Sequence, residues 1–567
     1  MLFRSLYIMQ VSELIVNYLE RLGIRQIFGI PGAHILPVYD HLYDASVHSI
    51  LTKHEQGAVF MACGQARSSG QVSACITTAG PGATNLVTGI ANAYSDNLPV
   101  LAITGESPTH IFGKGGLQES SGEGGSIDQS ALFSSISRYH KLIERTDYLH
   151  HVLAHTTQIL LSERPGPVVL SLPYNLQKEE VDDSILEQIR FEPRRPATTT
   201  PSSVIDQIAS LIHQSRKTVM VVGYGAIHSK AEKEIEQLCK QHHLLVATTL
   251  KGKGVIDEKS PYFIGPLGVT SDGAAYQTIT QEADLLLILG ASFNERTSYL
   301  WKPELIQDKK IIQIDHNPSQ LEKVFSATLS VEADILDTLK ALLEKLAQQP
   351  TSNTAKAQPR SAENGYQISE RVKDKSRDET SISHSTPTLV RTFFSLLNNH
   401  FDEEISVFDD NIIYGQNFLQ ASPLCHYYPN SGISSLGYAI PAALGAALTH
   451  QHPVFAILGD GGFQMCGLEL MTAVNYNIPI NVVLLNNGSM GLIRKNQFQQ
   501  YGGRYIDCDF INPDFSLLAQ SFGISHIRIE SDEAFDHLFN HCDLHKGINL
   551  IEIPIDKNAF PDYQSGR

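Results

Sequence analysis

Cationic side chains are in short supply, with 43 Lys and Arg against 60 Asp and Glu, for a formal charge of −17. A surface of that sign repels nucleic acid and anionic membranes, so neither is an expected partner. Small anions are not excluded, because they answer to local fields. Cysteine is sparse too. The seven cysteines, at positions 63, 75, 239, 425, 466, 508 and 542, form no CxxC pair and no His/Cys group at zinc spacing, which reads as scattered buried thiols in a reducing compartment. Long apolar runs are missing as well: no segment approaches the roughly 20 residues that span a bilayer. Met1–Gln10 has one arginine and a short apolar run but no extended apolar region or small-residue cleavage site, so it does not read as a secretory signal. Met9 is an alternative start, and a cytoplasmic protein is expected.

What the chain does have is apolar material and length. Its 567 residues, 42% hydrophobic and 18% charged, exceed what one core organises; at about 150 residues per domain, roughly three to four domains follow. Short β-branched runs alternate with helical stretches: helix Val11–Leu22, strand Gln26–Gly29, helix Ile35–Ala45, strand Ser49–Thr52, helix Gly57–Gly70, strand Ser73–Thr78. That alternation predicts a parallel sheet wrapped by helices. It recurs from Val219–Gly223 through Leu285–Leu289 and Ile311–Ile314, and again from Ile405–Asp409 through Val454–Leu458, Asn481–Leu485 and Leu550–Ile553. Ala347–Thr386, polar and rich in Ser, Gln, Lys and Asp, reads as a linker, and the proline-bearing Glu192–Ser203 as a shorter break. The fold class expected is therefore α/β, with three doubly wound parallel-sheet domains at 1–190, 203–345 and 387–567, and a linker over 346–386.

The third block holds the most specific local chemistry. Strand Val454–Leu458 runs into Gly459-Asp460-Gly461, a helix follows, and strand Asn481–Leu485 ends in Asn486-Asn487. In one βαβ crossover with parallel strands about 4.8 Å apart, Asp460 and Asn487 both leave the carboxyl-terminal strand ends, the edge where open α/β sheets bind ligands. Carboxylate and amide oxygens suit Mg²⁺, which draws its remaining ligands from phosphate and water. Gly461 and Gly462 then open a helix whose free N–H groups favour a diphosphate. Taken singly, Gly-Asp-Gly is a turn and Asn-Asn a strand exit; the pair at this spacing is the signal. It resembles the diphosphate and metal motif of thiamine-diphosphate enzymes.

An independent match comes from the first block, where Phe28-Gly29-Ile30-Pro31-Gly32, Leu36–Asp40, His54-Glu55-Gln56-Gly57-Ala58 and Thr78–Asn85 follow in order. With Asn92–Pro99, Gly105–Thr109, Gln118-Glu119, Gly265–Arg296, Ile311–Pro318 and Gly437–Asp460, the chain is similar to the acetolactate synthase branch of that family. The three blocks then correspond to pyrimidine-binding, central and diphosphate-binding domains. The resemblance implies thiamine diphosphate and Mg²⁺ as cofactors, the metal being held by Asp460, the Asn487 side chain and the Ser489 carbonyl. It places Glu55 on the cofactor's aminopyrimidine ring, with Pro31, Gly32, Gly80, Pro81 and Asn85 nearby. Leu436, Gly459, Gly461, Gly462, Met490 and Gly491 fall on the thiazolium and diphosphate side. Glu55, His34 and Gln118 are the candidate catalytic groups. Because the glutamate and the metal site of this family come from different subunits, a homodimer is the minimum unit, homotetramers occur, and a separate regulatory subunit is a further partner to consider.

Read alone, several of these positions are bland: Glu55 is a surface helix carboxylate and Leu436 a core leucine. Gly223-Tyr224-Gly225, Thr249–Gly252, Gly290–Arg296 and Asp315-His316-Asn317 resemble segments that hold FAD in acetolactate synthases, yet each is also an ordinary strand-end turn. The fold has been reused for FAD, for other nucleotides or for nothing, and all three stay open. Departures from the synthase pattern bear on substrate. Ala33-His34 replaces a glycine-alanine pair, and His34 either orients a carboxylate or moves a proton, or is a packed helix residue. Asn411–Tyr414 replaces a Val-Gly-Gln-His run, Asn496 a pocket tryptophan, and Leu117 a phenylalanine. Gly122–Gly125 begins an insertion, and Arg138 either binds a substrate carboxylate or is solvated. The expected activity is decarboxylating carboligation of a pyruvate-like 2-keto acid to a keto acid or aldehyde. The rivals are a non-oxidative decarboxylase releasing an aldehyde and a non-catalytic binding member of the fold.

Overall fold

The computed structural model describes residues 8–193, 199–348 and 388–560. Most of the expected linker lies outside them. At its near end the helix Ile335–Ala347 runs straight through the boundary expected at 345.

The first domain contains β1 (Ile8–Gln10), β2 (Gln26–Gly29), β3 (His48–Leu51), β4 (Ser73–Thr77), β5 (Val100–Glu106), β6 (Tyr139–Leu142), β7 (Val168–Pro173) and β8 (Glu180–Asp182). β1 and β8 form a small antiparallel ribbon, and the other six a parallel sheet in the order β3-β2-β4-β5-β7-β6. The central domain is a parallel sheet of β9 (Thr218–Val222), β10 (Leu245–Thr248), β11 (Phe263–Pro266), β12 (Leu285–Leu289), β13 (Lys310–Asp315) and β14 (Leu329–Glu332). The third contains β15 (Ile405–Asp409), β16 (Cys425–Pro429), β17 (Val454–Gly459), β18 (Ile480–Asn486), β19 (Ser525–Arg528) and β20 (Ile548–Pro554). Strands such as β9 and β12 are buried along their whole length, which is why they read as near-continuous apolar runs rather than alternating ones.

Strand order relates the domains. The third sheet runs β16-β15-β17-β18-β20-β19, so its strands, counted in chain order, follow the same sequence of neighbours as the six parallel strands of the first. The central sheet, β11-β10-β9-β12-β13-β14, has instead the order of dinucleotide-binding sheets, with its topological switch between β9 and β12.

The first and third domains also meet through equivalent helices, Glu55–Ser69 before β4 and Ala439–Ala447 before β17. Both are buried almost all round, as a helix between two layers must be, and one apolar cluster containing Phe60, Met61, Tyr438 and Ala442 runs through both domains. Their backbones cross without side chains between them. A Cβ at Gly64 would lie 1.9 Å from the Ala442 carbonyl oxygen, and one at Gly445 2.0 Å from that of Met61. Gly64→Val should therefore push the domains apart, at a cost at the upper end of overpacking or beyond, about 3 kcal/mol. Denaturant unfolding checks this; an unchanged midpoint would mean the crossing tolerates bulk.

The central domain is tied in by buried ions. Asp96 receives Arg67 and Lys251, while Arg67 also donates to the Pro429 carbonyl at 2.9 Å, so three domains share one knot. Lys253 and Glu258 pair at 2.7 Å in full burial and bond to the Leu419 carbonyl and the Ala421 amide. No helix among the described residues is long and apolar enough to cross a membrane.

Candidate functional site

β17 and β18 are neighbours with Gly459 opposite Leu485, so their exits release Asp460 and Asn487 side by side. Asp460 is buried at the start of the helix Asp460–Cys466. One carboxylate oxygen accepts from the Asn487 and Gly488 amides and from Asn512 Nδ2 (3.0, 2.5 and 2.7 Å), and the other from the Gly461 amide at 3.0 Å. Gly488, at φ +63°, turns the chain back. All these donors are neutral. Burial pushes the Asp460 carboxyl above the usual range, with the hydrogen bonds opposing it, so the site holds a partly compensated anion that a cation would complete. Asn487 Oδ1 accepts from the Ser489 amide at 3.0 Å, and among the described residues no backbone amide donates to the Ser489 carbonyl. One carboxylate, one amide oxygen and one peptide carbonyl form a donor set that fits a hard divalent cation.

Two glycines beside this cradle are closely packed. A Cβ on Gly461 would sit 2.5 Å from the Met490 sulfur, and one on Gly491 2.8 Å from Asn487 Nδ2. Gly491 starts the eleven-residue helix Gly491–Tyr501, so the starts of two helices, at Asp460 and Gly491, open onto the same strand ends, where backbone N–H groups favour an anion. Leu436 is half-buried, followed by Gly437 at φ +85°.

That turn exposes a residue the motif reading missed. Asp410, just past β15, accepts from the Gly437 amide at 2.7 Å and from Tyr438 and Asn430 at 3.3 Å. A Cβ on Gly462 would lie 2.7 Å from its Oδ2. Asp410 thus links the Leu436 turn to the helix after Gly459, and burial lifts its carboxyl to about 6. An Asp-Asp pair closing an apolar strand was the available sign. Asn411, at φ +65°, follows directly.

The first domain assembles a second cluster on the corresponding edge. A Cβ on Gly29 would lie 1.8 Å from the Ile76 carbonyl, and one on Gly32 2.5 Å from Thr78, so Ile30–Ala33 lies against the exit of β4. His34 is 8% exposed; its Nδ1 is 3.3 Å from Gln118 Oε1, and its carbonyl accepts from Gln177 at 2.7 Å. Gln118, at φ +56°, folds over Gly80, where a Cβ would come within 2.9 Å of its own. Glu55 opens its helix half-buried and accepts from Asn85 Nδ2 at 2.9 Å, with Gly82 beside it. Pro81 begins the short helix that carries Asn85 there.

The turn before Glu55 is gripped from the third domain. Glu469, 3% exposed, accepts from the Lys53 and His54 amides at 2.8 and 3.0 Å and from Thr472 at 3.0 Å. Nothing in the sequence around Glu469 signalled this. Among the described residues no hydrogen bond or ion pair joins the Glu55 cluster to the Asp460 cradle. Apolar side chains stand exposed near each: Leu36 and Leu117 by the first, Met465, Leu468, Ile493 and Ile511 by the second.

Other candidates separate. Arg138 donates to Asn97 at 2.7 Å, stacks on Tyr94 and precedes β6, at the opposite end of the sheet from His34; the carboxylate-binding reading of it fails on position. Gly122–Gly125 makes a tight turn closed by a Ser121–Asp128 bridge. Asn496 is half-buried on the Gly491–Tyr501 helix.

At the switch point of the central sheet, Gly223 and Gly225 pack against Gly290 with no space for a Cβ. Tyr224, Thr249, Lys251, Ser292, Asn294 and Arg296 line a crevice of about 120 Å³ there with Gln416 and Asn417 of the third domain. Asp315-His316-Asn317 lies outside that lining; His316 stacks on His228 instead.

Comparison with known proteins follows the same division. Residues 9–131, 205–342 and 411–553 match the N-terminal TPP binding, central and C-terminal TPP binding domains described for thiamine pyrophosphate enzymes. The chain is similar to a probable acetolactate synthase large subunit of Methanocaldococcus jannaschii, 32% identical over 97% of this chain and 92% of that one. It is also similar to the acetolactate synthase isozyme 2 large subunit of Escherichia coli (31%; 98% and 97%) and the acetolactate synthase large subunit of Corynebacterium glutamicum (31%; 92% and 83%).

Proposed function

The chain belongs to the thiamine pyrophosphate enzyme family, and from that premise we propose that it is an acetolactate synthase-like carboligase, joining a fragment of a 2-keto acid to a second carbonyl compound with loss of CO₂. The observation that carries this is the Asp460–Asn487 cradle: a buried carboxylate with neutral donors only, beside an amide oxygen and under two helix N-termini. Asp460, Asn487 and the Ser489 carbonyl would hold Mg²⁺. Amides at the starts of the two helices would take the diphosphate, with Met490 and Leu436 against the ring system.

When bound, thiamine diphosphate supplies a nucleophilic thiazolium carbon and an electron sink for decarboxylation. The chain's own work is positioning and proton handling. Glu55, oriented by Asn85, would hydrogen-bond the aminopyrimidine and exchange a proton with it. His34 and Gln118, on the same edge, would face the reacting end of the substrate. Since among the described residues no hydrogen bond or ion pair joins Glu55 itself to Asp460 or Asn487 within one chain, a homodimer that docks the Glu55 edge of one copy on the Asp460 edge of the other would complete the site, and the exposed apolar residues beside each suit that contact. Homotetramers and a small regulatory subunit extend the same proposal, the latter because relatives are named large subunits.

The central crevice, at about 120 Å³, is smaller than the roughly 300–1,000 Å³ of pockets for drug-sized ligands, so FAD would need it to widen. A specific observation also favours a second reading: a nearly enclosed imidazole at the reacting edge could protonate the decarboxylated fragment, making an aldehyde-releasing decarboxylase.

Incubation of the protein with thiamine diphosphate, Mg²⁺ and pyruvate, alone and with keto acid or aldehyde acceptors, separates the two. Acetolactate or another acyloin is expected by mass spectrometry. Acetaldehyde as sole product would replace the carboligase with the decarboxylase, and a flavin spectrum in the purified protein would require the crevice to open.

A further inference from the structure

Glu106 closes β5, wholly buried. Its Oε1 accepts from the Ser107 amide at 2.7 Å and the Ser120 amide at 3.0 Å, whereas its Oε2, equally buried, has no partner. On the same strand face, two residues earlier, Thr104 receives Gln129 Nε2 at 2.7 Å. The Gln129 backbone amide donates to the Ser120 carbonyl at 3.1 Å, yet its side-chain oxygen is also buried without a partner. Two unsatisfied acceptors thus flank one turn, in a place where an ionised carboxylate can donate nothing. A proton on Glu106 Oε2 removes the buried charge and turns one of these acceptors into a donor.

The surrounding charges agree. Glu119, on the loop itself, is a like charge. Asp128 caps the helix that carries Gln129. His140, on β6, reaches Ser171 at 3.0 Å and is lowered to about 4 by burial, and His34 lies across Gly105. No lysine or arginine is among them, and burial keeps His140 uncharged near neutrality, so neither that imidazole nor the two carboxylates would stabilise a buried carboxylate.

What the turn carries gives this a function. Ser120 Oγ accepts from the Gly80 amide at 3.2 Å and donates to the Gln118 carbonyl at 3.1 Å, and Gln118 in turn meets His34 and Thr78. We infer that Glu106 is a positioning residue that acts as an uncharged carboxylic acid, pinning the Gln118–Ser120 turn so that Gln118 and His34 keep their places. The inference deepens the proposed function and rests on it for the kinetic readout only.

Desolvation raises the Glu106 carboxyl, opposed in part by the Ser107 and Ser120 amides and reinforced by Glu119. With a raised folded-state value, the stabilisation is complete below the ordinary glutamate range and is lost as pH rises through the raised value. Glu106→Gln keeps a donor and an acceptor but has no proton to lose. Its kcat/KM should stay within about threefold of wild type near neutrality, and its alkaline fall should move upward by about one pH unit or more. Glu106→Ala, which frees the turn, should lose roughly 10²-fold. A Gln variant as impaired as the Ala variant, or one with the wild-type pH profile, would overturn the role. Infrared difference spectra of wild type against Glu106→Gln, which need no turnover, should show the carbonyl stretch of an un-ionised acid at neutral pH; carboxylate bands alone would overturn the protonation whatever reaction the enzyme catalyses.

Discussion

Glu55→Gln is expected to cut turnover by roughly 10²–10⁴-fold, the usual weight of a positioned proton-transfer group, while leaving the fold intact. The amide keeps the shape and can still meet Asn85, which donates to Glu55 at 2.9 Å, but it cannot exchange a proton with the aminopyrimidine. Its helix is held by contacts that do not involve the carboxylate: His54 caps the Gln56 amide, and Glu469 holds the Lys53 and His54 amides. Thermal unfolding should therefore change little. The direct measurement is hydrogen–deuterium exchange at the thiazolium carbon, together with acetolactate formation. Unchanged exchange in a folded, cofactor-loaded variant would mean that another carboxyl does this work. A near-complete loss of binding with normal exchange in the bound fraction would make Glu55 a binding group only.

Asp460→Asn should separate stability from function in opposite directions. Burial holds the Asp460 carboxyl above its ordinary value, so without metal its contribution to stability is present below the ordinary aspartate range and lost as pH rises through the raised value. The apo Asn variant should thus lack that pH dependence and be at least as heat-stable as apo wild type at neutral pH. With Mg²⁺ and thiamine diphosphate the order should reverse. Ligand at about 100 times its Kd stabilises wild type by about 2.7 kcal/mol, and the variant should gain little. EDTA should return wild type to its apo midpoint. Activity should fall by roughly 10²-fold or more, since even residues that only support metal ligands cost about 10–100-fold. A variant that binds Mg²⁺ and thiamine diphosphate like wild type would remove Asp460 from the cation site, and with it the observation on which the proposed function stands.

Both substitutions test residues found by local spacing, and that sets what sequence reading could reach. β17, its following helix and β18 form one continuous crossover, so the separation of Asp460 from Asn487 along the chain already contains their separation in space. The same holds for the helix that Glu55 opens, although its start lies two residues before the first position expected from the apolar pattern, because the His54 side chain caps the Gln56 amide. The helix expected over Ile35–Ala45 is shorter, Leu36–Leu42. Its last expected residues are replaced by a turn in which Glu20 holds the Ser46 amide, a bond to a helix more than twenty residues away.

By itself, then, the sequence determined the α/β class, the repeated sheet-and-helix blocks, the pairing of Asp460 with Asn487 at one sheet edge and the helix bearing Glu55, because strand periodicity, glycine turns and motif spacing are properties of neighbouring residues. Tertiary structure alone decided that the first and third sheets share one strand order, that Gly64 and Gly445 let their helices touch, and that Asp410, Glu469 and Glu106 anchor the loops of the site. Those roles depend on desolvation and on donors supplied from distant parts of the chain, from Lys53 to Glu469 or from Gly437 to Asp410. Only folding brings such groups within hydrogen-bonding distance, and only burial makes the bonds matter.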